Sequence, residues 1–162
     1  NREKYILDLW NRSRQKIGFW MQGQMLMSVI IAVLAYLGLL LLGIPNALLL
    51  AVGAGLFEII PLFGPILAAI PAVIIGFSTG GTSIALLVAG LFIIIQQFEN
   101  QLIYPLVVKK VIGVPPMVSI LALLIGAKLA GFLGMLISVP LAAIFIELIS
   151  DMERAKIAQG NK

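Results

Sequence analysis

Between Ile17 and Val108 the chain carries only two formally charged side chains, Glu58 and Glu99. A soluble domain devotes about 25% of its residues to charge; here the figure is 11%, against 61% hydrophobic residues and a mean hydropathy of +1.12. Such a chain has no wet face to present over most of its length. The implied fold class is all-α: a polytopic transmembrane helical protein in which charges persist only where they are sheltered from lipid. The bilayer is thus its first expected partner.

The remaining charges sharpen this reading. Net charge is +4, but the basic residues cluster at the two ends and at Lys109-Lys110, flanking apolar spans. That is the positive-inside pattern rather than a nucleic-acid groove. It places Arg2, Lys4, Arg12, Arg14, Lys16, Lys109-Lys110 and the tail residues Arg154, Lys156 and Lys162 on the cytoplasmic side, with both termini there. Cysteine and histidine are absent, which removes disulfides, thiolate and imidazole chemistry and the usual zinc ligand sets. No cofactor or metal is expected. No nucleophile, base and orienter constellation marks an enzyme. The chain opens on Asn1 and a polar stretch of mixed charge, the wrong start for a signal peptide, and reads as a fragment.

Along the chain, residues 1–18 are expected to form an interfacial amphipathic helix, residues 19–150 a transmembrane domain, and 151–162 a cytoplasmic tail. Six apolar helical segments are expected at 19–43, 46–60, 65–79, 82–108, 116–130 and 132–150. The second and third meet at Pro61-Leu62-Phe63-Gly64-Pro65, and the last two at the glycine-rich Gly131 to Gly134. Arms of about 15 residues reach only ~22 Å as helix, short of a ~30 Å hydrocarbon core. Each pair is therefore either a broken, re-entrant hairpin or two short tilted helices. One self-alignment sets Gly43 on Gly113, Pro45 on Pro115, Glu58 on Lys128 and Gly64 on Gly134, with Pro71 one residue out of register with Pro140. Its halves begin with crossing helices of opposite direction, and inverted repeats with broken helices are a mark of secondary transporters. Chance coincidence of Gly and Pro in a biased composition is the competing reading.

The candidate pathway residues are the polar ones left inside apolar segments. Glu58 stands one turn before the proline-rich break, where it either couples to substrate or ion or caps freed amides. Lys128 matches it in the second unit, either as a buried ion-pair partner or snorkelling to an interface. Gln96, Gln97, Glu99 and Asn100, with Gln101 alongside, form the most polar stretch of any apolar segment. They suit a cavity that hydrogen-bonds a polar solute or holds a cation, or else interhelical hydrogen bonds. Candidate breaks and hinges are Pro61, Gly64, Pro65, Pro71, Pro105, Gly131, Gly134 and Pro140, because proline removes a backbone donor and frees a carbonyl.

Three segments, in order, carry a resemblance to a known family. They are Glu58-Ile-Ile-Pro-Leu-Phe-Gly-Pro-Ile-Leu-Ala-Ala-Ile-Pro71, Gln97-Phe-Glu-Asn-Gln-Leu-Ile-Tyr-Pro105 and Gly131-Phe-Leu-Gly-Met-Leu-Ile-Ser-Val-Pro-Leu-Ala-Ala143. Together they resemble the autoinducer-2 exporter family of permeases, over nearly all of this chain but only the C-terminal half of a typical member. The resemblance implies a cytoplasmic (inner) membrane protein that exports a small polar signal molecule or, in some relatives, exchanges sodium ions for protons. It also implies a homo-oligomer. Where the family commonly has His-Pro after the basic loop, this chain has Pro115-Pro116, so no role of that histidine carries over. Three functional expectations follow: a permease working by ion-coupled alternating access, a sodium/proton antiporter, and a non-transporting oligomeric membrane module.

Overall fold

The computed structural model describes residues 2–60, 63–103 and 116–160, with side chains described at 7, 10–60, 63–103 and 117–150. Pro61, Pro105, Lys109-Lys110, Gly113 and Pro115 lie outside the described residues. Among those described, every regular element is helical. Helix α1 spans Arg2–Leu41, α2 Ala47–Phe57 and α3 Gly64–Phe98, the last running into a π-helical turn, Glu99–Ile103; helix α4 spans Pro116–Gly160. The protein is an all-α polytopic membrane protein. By length and composition, three stretches are apolar and long enough to cross a bilayer: Trp10–Leu41, Gly64–Ile103 and Met117–Ser150, with mean hydropathies of 2.3, 2.0 and 2.4.

The interfacial helix and the first span expected from the sequence are one continuous helix. One stripe runs along it: Ser13, Trp20, Gln24, Met27, Ile31, Ala35 and Leu39 are all buried. Their spacing of three, four or seven residues keeps them on one face. The chain divides into two compact units, 1–21 with 111–162 and 22–110.

In the 22–110 unit, α1 ends in a double hydrogen-bonded cap. The amide of Ile44 donates to the Leu39 carbonyl (3.0 Å) and that of Gly43 to the Leu40 carbonyl (3.0 Å). Gly43 adopts φ +67, and the apolar pair at the cap, Leu39 and Ile44, is buried. This is the Schellman arrangement, which satisfies carbonyls the helix leaves open. Helix α2 then presents Ala47, Ala51, Ala54 and Gly55 as its buried face. Small residues let helix backbones approach closely in a setting where lipid gives no hydrophobic drive. The core joins these to Ile31, Ala35, Leu39, Ala68, Ala72, Val88, Phe92 and Ile95.

Helix α3 does not continue straight. Gly80 (φ −142, ψ 23) and Gly81 (φ 66, ψ −157) leave helical geometry, and beyond them the chain doubles back: a β-carbon on Gly76 would stand 3.1 Å from a methyl of Val88. In an uninterrupted helix those residues would be about 18 Å apart. The two arms therefore lie antiparallel, each about 24 Å long. Hydroxyls of Ser78 and Thr79 donate to the carbonyls of Ile74 (3.0 Å) and Ile75 (2.8 Å) in the last turn before the reversal.

In the other unit α4 repeats the device. Ala130 (φ −141, ψ 21) and Gly131 (φ 59, ψ −134) break it, and Gly126 meets the Gly134 backbone across the hairpin so closely that neither position has room for a β-carbon. Gly76 thus corresponds to Gly126, Gly81 to Gly131, and Val88 to Ser138, which faces Gly126. That register differs from the one that aligned Gly64 with Gly134. The sequence comparison weighted Gly and Pro wherever they fell, whereas a tight reversal requires them only at the turn and at the closest approach. Pro71 and Pro140 sit inside helical arms; Pro65 occupies the first turn of α3, where its missing donor costs nothing.

Gly81 occupies a backbone region open essentially to glycine alone. Gly81→Ala is expected to destabilise the protein by about 1–3 kcal/mol, read as a lower melting temperature in detergent. Gly90→Ala, where a β-carbon meets nothing within 4 Å, should leave it unchanged or slightly higher.

Candidate functional site: a buried carboxyl pair beside a carboxamide-edged cavity

The two acidic residues of the apolar stretch come together. Glu58 follows α2 as its C-terminal cap and Glu99 opens the π-helical turn after α3. They are 1% and 2% exposed, and their carboxyl groups face each other within hydrogen-bonding reach. Oε2 of each is buried without a hydrogen-bond partner. Two like charges this close, out of water, cannot both be carried cheaply. The pair is suited to holding a proton or a cation between its oxygens.

The scaffold around Glu58 follows from how α2 ends. Its last turn tightens: the Ile59 amide donates to Leu56 (3.3 Å) and that of Ile60 to Phe57 (3.0 Å). The Gly55 carbonyl thereby loses its ordinary helical donor. Helix α1 supplies a substitute in the Ser28 hydroxyl, and its Gln24 carboxamide donates to the Glu58 carbonyl. After the turn Gly64 lies against Glu58, where a β-carbon would stand 2.6 Å from both Cα and Oε2. Gly64→Ala should therefore push the Glu58 backbone and carboxyl away. The expected cost is about 1–3 kcal/mol, typical of overpacking, measured as a loss of thermal stability.

An open, groove-like cavity of about 820 Å³ runs along the arms of α3, its isoleucines more than half exposed. Pro65, Ile66, Ile70 and Ile74 on the first arm, and Ala89, Phe92 and Ile93 on the second, contribute to its apolar walls, with Gln96, Gln97 and Asn100 as its polar residues. Because the arms are antiparallel, these carboxamides stand level with Pro65, at the end far from the Gly80-Gly81 turn. Gln101 donates to the Gln97 side-chain carbonyl (3.3 Å). Gln96, Gln97 and Asn100 thus edge the cavity while Glu99, between them in sequence, is packed against Glu58. Pro65 lines the cavity and Gly64 abuts the pair; Pro71, Gly131, Gly134 and Pro140 lie in the hairpins described above. Lys128 is exposed, two residues before the α4 turn.

The 1–21/111–162 unit holds a charge cluster that sequence reading passed over. Glu147 continues the buried face of Val139 and Ala143 on α4 and is itself 9% exposed. It accepts a hydrogen bond from the Lys16 ammonium and lies 3.6 Å from the Arg12 guanidinium. The signal was available: Glu147 is a lone acid within an apolar segment, as Glu58 is, while Arg12 and Lys16 were counted only as flanking charge. Gln24 was likewise passed over. Among the described residues no group of three or more acidic residues could hold a metal ion.

Ionisable groups held together inside apolar helical segments, beside a groove edged with carboxamides, are the kind of arrangement that marks a solute or ion pathway. The chain belongs to the AI-2E family of transporters, whose family model matches residues 1–154; that family consists of transporters rather than enzymes. The chain is 33% identical over 150 residues to YueF of Bacillus subtilis, covering 88% of this chain and 40% of that one. It is 34% identical over 128 residues to YrrI of the same organism (79% and 36%), and 31% identical over 134 residues to YhhT of Escherichia coli K12 (83% and 38%). Transport is ascribed to all three. The chain thus spans about two-fifths of the length of the curated relatives it matches.

Proposed function

We propose that this chain forms the transport-forming part of a cytoplasmic-membrane permease that exports a small polar molecule. Gln96, Gln97 and Asn100 hydrogen-bond the solute, and Glu58 with Glu99 serves as the proton- or cation-linked element. The observation that carries the reading is the carboxyl pair itself: two buried acids in contact, each with a partnerless oxygen, within one turn of the cavity's carboxamides. A purely structural pair would be expected to have all its oxygens satisfied. Family membership and the two broken helical hairpins support the reading, because discontinuous helices are where secondary transporters build their sites.

In this scheme both termini and the Lys109-Lys110 loop face the cytoplasm, one hairpin moves relative to the rest during alternating access, and the assembly is a homo-oligomer. Sodium/proton exchange is a second reading, favoured by the same partnerless oxygens, which would ligate a hard cation. The test is flux in proteoliposomes, reading internal pH while a sodium or proton gradient is imposed. Loss of gradient-linked flux in the Glu58→Gln and Glu99→Gln variants supports the coupling role; unchanged flux in both overturns it.

A further inference from the structure

We infer that Gln24 of α1 is the positioning residue of the carboxyl pair: by holding the Glu58 backbone it fixes where the Glu58 carboxyl stands against Glu99. The inference rests on the coupling role proposed for that pair and adds the group that sets its geometry.

First, the acids lack an anchor of their own. Oε2 of each has no hydrogen-bond partner among the described residues, and no basic residue occurs from Ile17 to Val108. A carboxyl oxygen without a donor takes its position from its backbone and from the atoms it touches. Glu58 is held at three points: its amide donates to the Ala54 carbonyl (3.0 Å), its Cα and Oε2 lie against Gly64, and its carbonyl accepts from the Gln24 carboxamide. The first two holds belong to α2 and the turn that follows it. Gln24 ties that turn to a separate, long helix.

Second, Gln24 is an expensive residue where it stands. From Trp20 to Leu39 the buried stripe of α1 is otherwise apolar, and Gln24 is 7% exposed. A carboxamide sealed among apolar groups is costly unless it is hydrogen-bonded, and a leucine would pack there without that cost. The bond that offsets it goes to the acid's own carbonyl.

Third, adhesion between α1 and α2 is already supplied one turn further on. The Ser28 hydroxyl donates to the Gly55 carbonyl, and a β-carbon on Gly55 would stand 2.8 Å from the Ser28 carbonyl oxygen, so the two backbones touch there. A short hydroxyl suffices at that contact. At Glu58, three residues later, the longer carboxamide makes the reach. The two bonds are of one kind, from α1 side chain to α2 backbone carbonyl, and they differ in which residue they hold. Ser28 is therefore the control for Gln24.

The test replaces Gln24 with methionine, which keeps the length of the side chain and removes the donor. Infrared spectra are taken of the protein labelled with isotopic glutamate in nanodiscs, the carboxyl and carboxylate bands of the pair being those lost in Glu58→Gln/Glu99→Gln. Gln24→Met should shift these bands and lower gradient-linked flux by about 10- to 100-fold, as a reacting group displaced by about 1 Å does. Ser28→Ala should lower the melting temperature while leaving the bands in place and the flux near that of the parent. Gln24→Asn, with its donor at shorter reach, should recover part of both losses, and it makes the same comparison with Ser28→Ala if Gln24→Met does not fold. Unshifted bands in the Gln24 variants, or an equal shift in Ser28→Ala, overturn the inference and leave Gln24 as interhelical adhesion alone. If Glu58→Gln/Glu99→Gln keeps its gradient-linked flux while Gln24→Met shifts the bands, the coupling role falls and the positioning role stands. If the pair variant loses flux while Gln24→Met changes neither bands nor flux, the reverse holds.

Discussion

The double variant Glu58→Gln/Glu99→Gln should fold and remain in the membrane while losing gradient-linked flux by about 10- to 100-fold, the usual range of a coupling free energy. The carboxamide keeps the volume and hydrogen-bonding capacity of each side chain but cannot take up or release a proton and binds a cation poorly. Its stability should equal or exceed that of the parent, because replacing two crowded acids with neutral groups removes repulsion and burial cost together. The single variants should be strongly non-additive, since each carboxyl is the other's principal neighbour. If one acid alone suffices for exchange, one single variant keeps near-normal flux and the other does not. A construction with Glu58→Leu differs in kind: it opposes an apolar group to the buried Glu99 carboxyl, and it should lower stability as well as flux. Comparing internal pH changes with melting temperature across the four variants and the parent separates the two effects.

The second large effect concerns Glu147. Lys16→Met is expected to destabilise the protein by about 2–3 kcal/mol, because it leaves a carboxylate in a mostly buried position with only the more distant Arg12 to compensate it. Glu147→Gln should cost less, about 1 kcal/mol or below, since the Lys16 and Arg12 side chains are 34% and 40% exposed and reach water when released. The asymmetry is the informative quantity. Lys16→Met combined with Glu147→Leu should recover most of the loss, as apolar replacements of buried ion pairs commonly do. Thermal denaturation in one detergent measures it, with Glu147→Leu alone added to complete the cycle of parent, two single variants and double variant; equal costs for Lys16→Met and Glu147→Gln would mean that the acid is not effectively buried.

Membrane class and helical content were legible because they depend on local properties summed over the chain. A stretch with charges only at Glu58 and Glu99 settles its own solvent. The segment limits near Gly43, Gly64 and Gly131 were legible for a similar reason: the residues that permit a turn or a helix start announce themselves. The two acids could also be singled out one at a time, since an isolated charge in an apolar run is conspicuous wherever it ends up. The Gly80-Gly81 reversal was less visible as a hairpin, because Gly-Gly marks a break without saying whether the chain turns back or continues. Only the approach of Gly76 to Val88 makes it a hairpin.

What the sequence determined by itself was therefore the solvent, the helices and the two isolated acids, Glu58 and Glu99, of the long apolar stretch. Tertiary structure decided which groups became neighbours. It brought Glu58 to Glu99 rather than leaving each alone, assigned Gln24 and Ser28 to the open carbonyls of α2, and gave Glu147 the basic residues of α1. It also turned Glu99 away from the amides on either side of it. The physical reason is that helix propensity and hydropathy act over a few residues, whereas a carboxyl's partner is set by packing between segments far apart in the chain, where one close glycine contact, such as Gly64 on Glu58, decides which groups can meet.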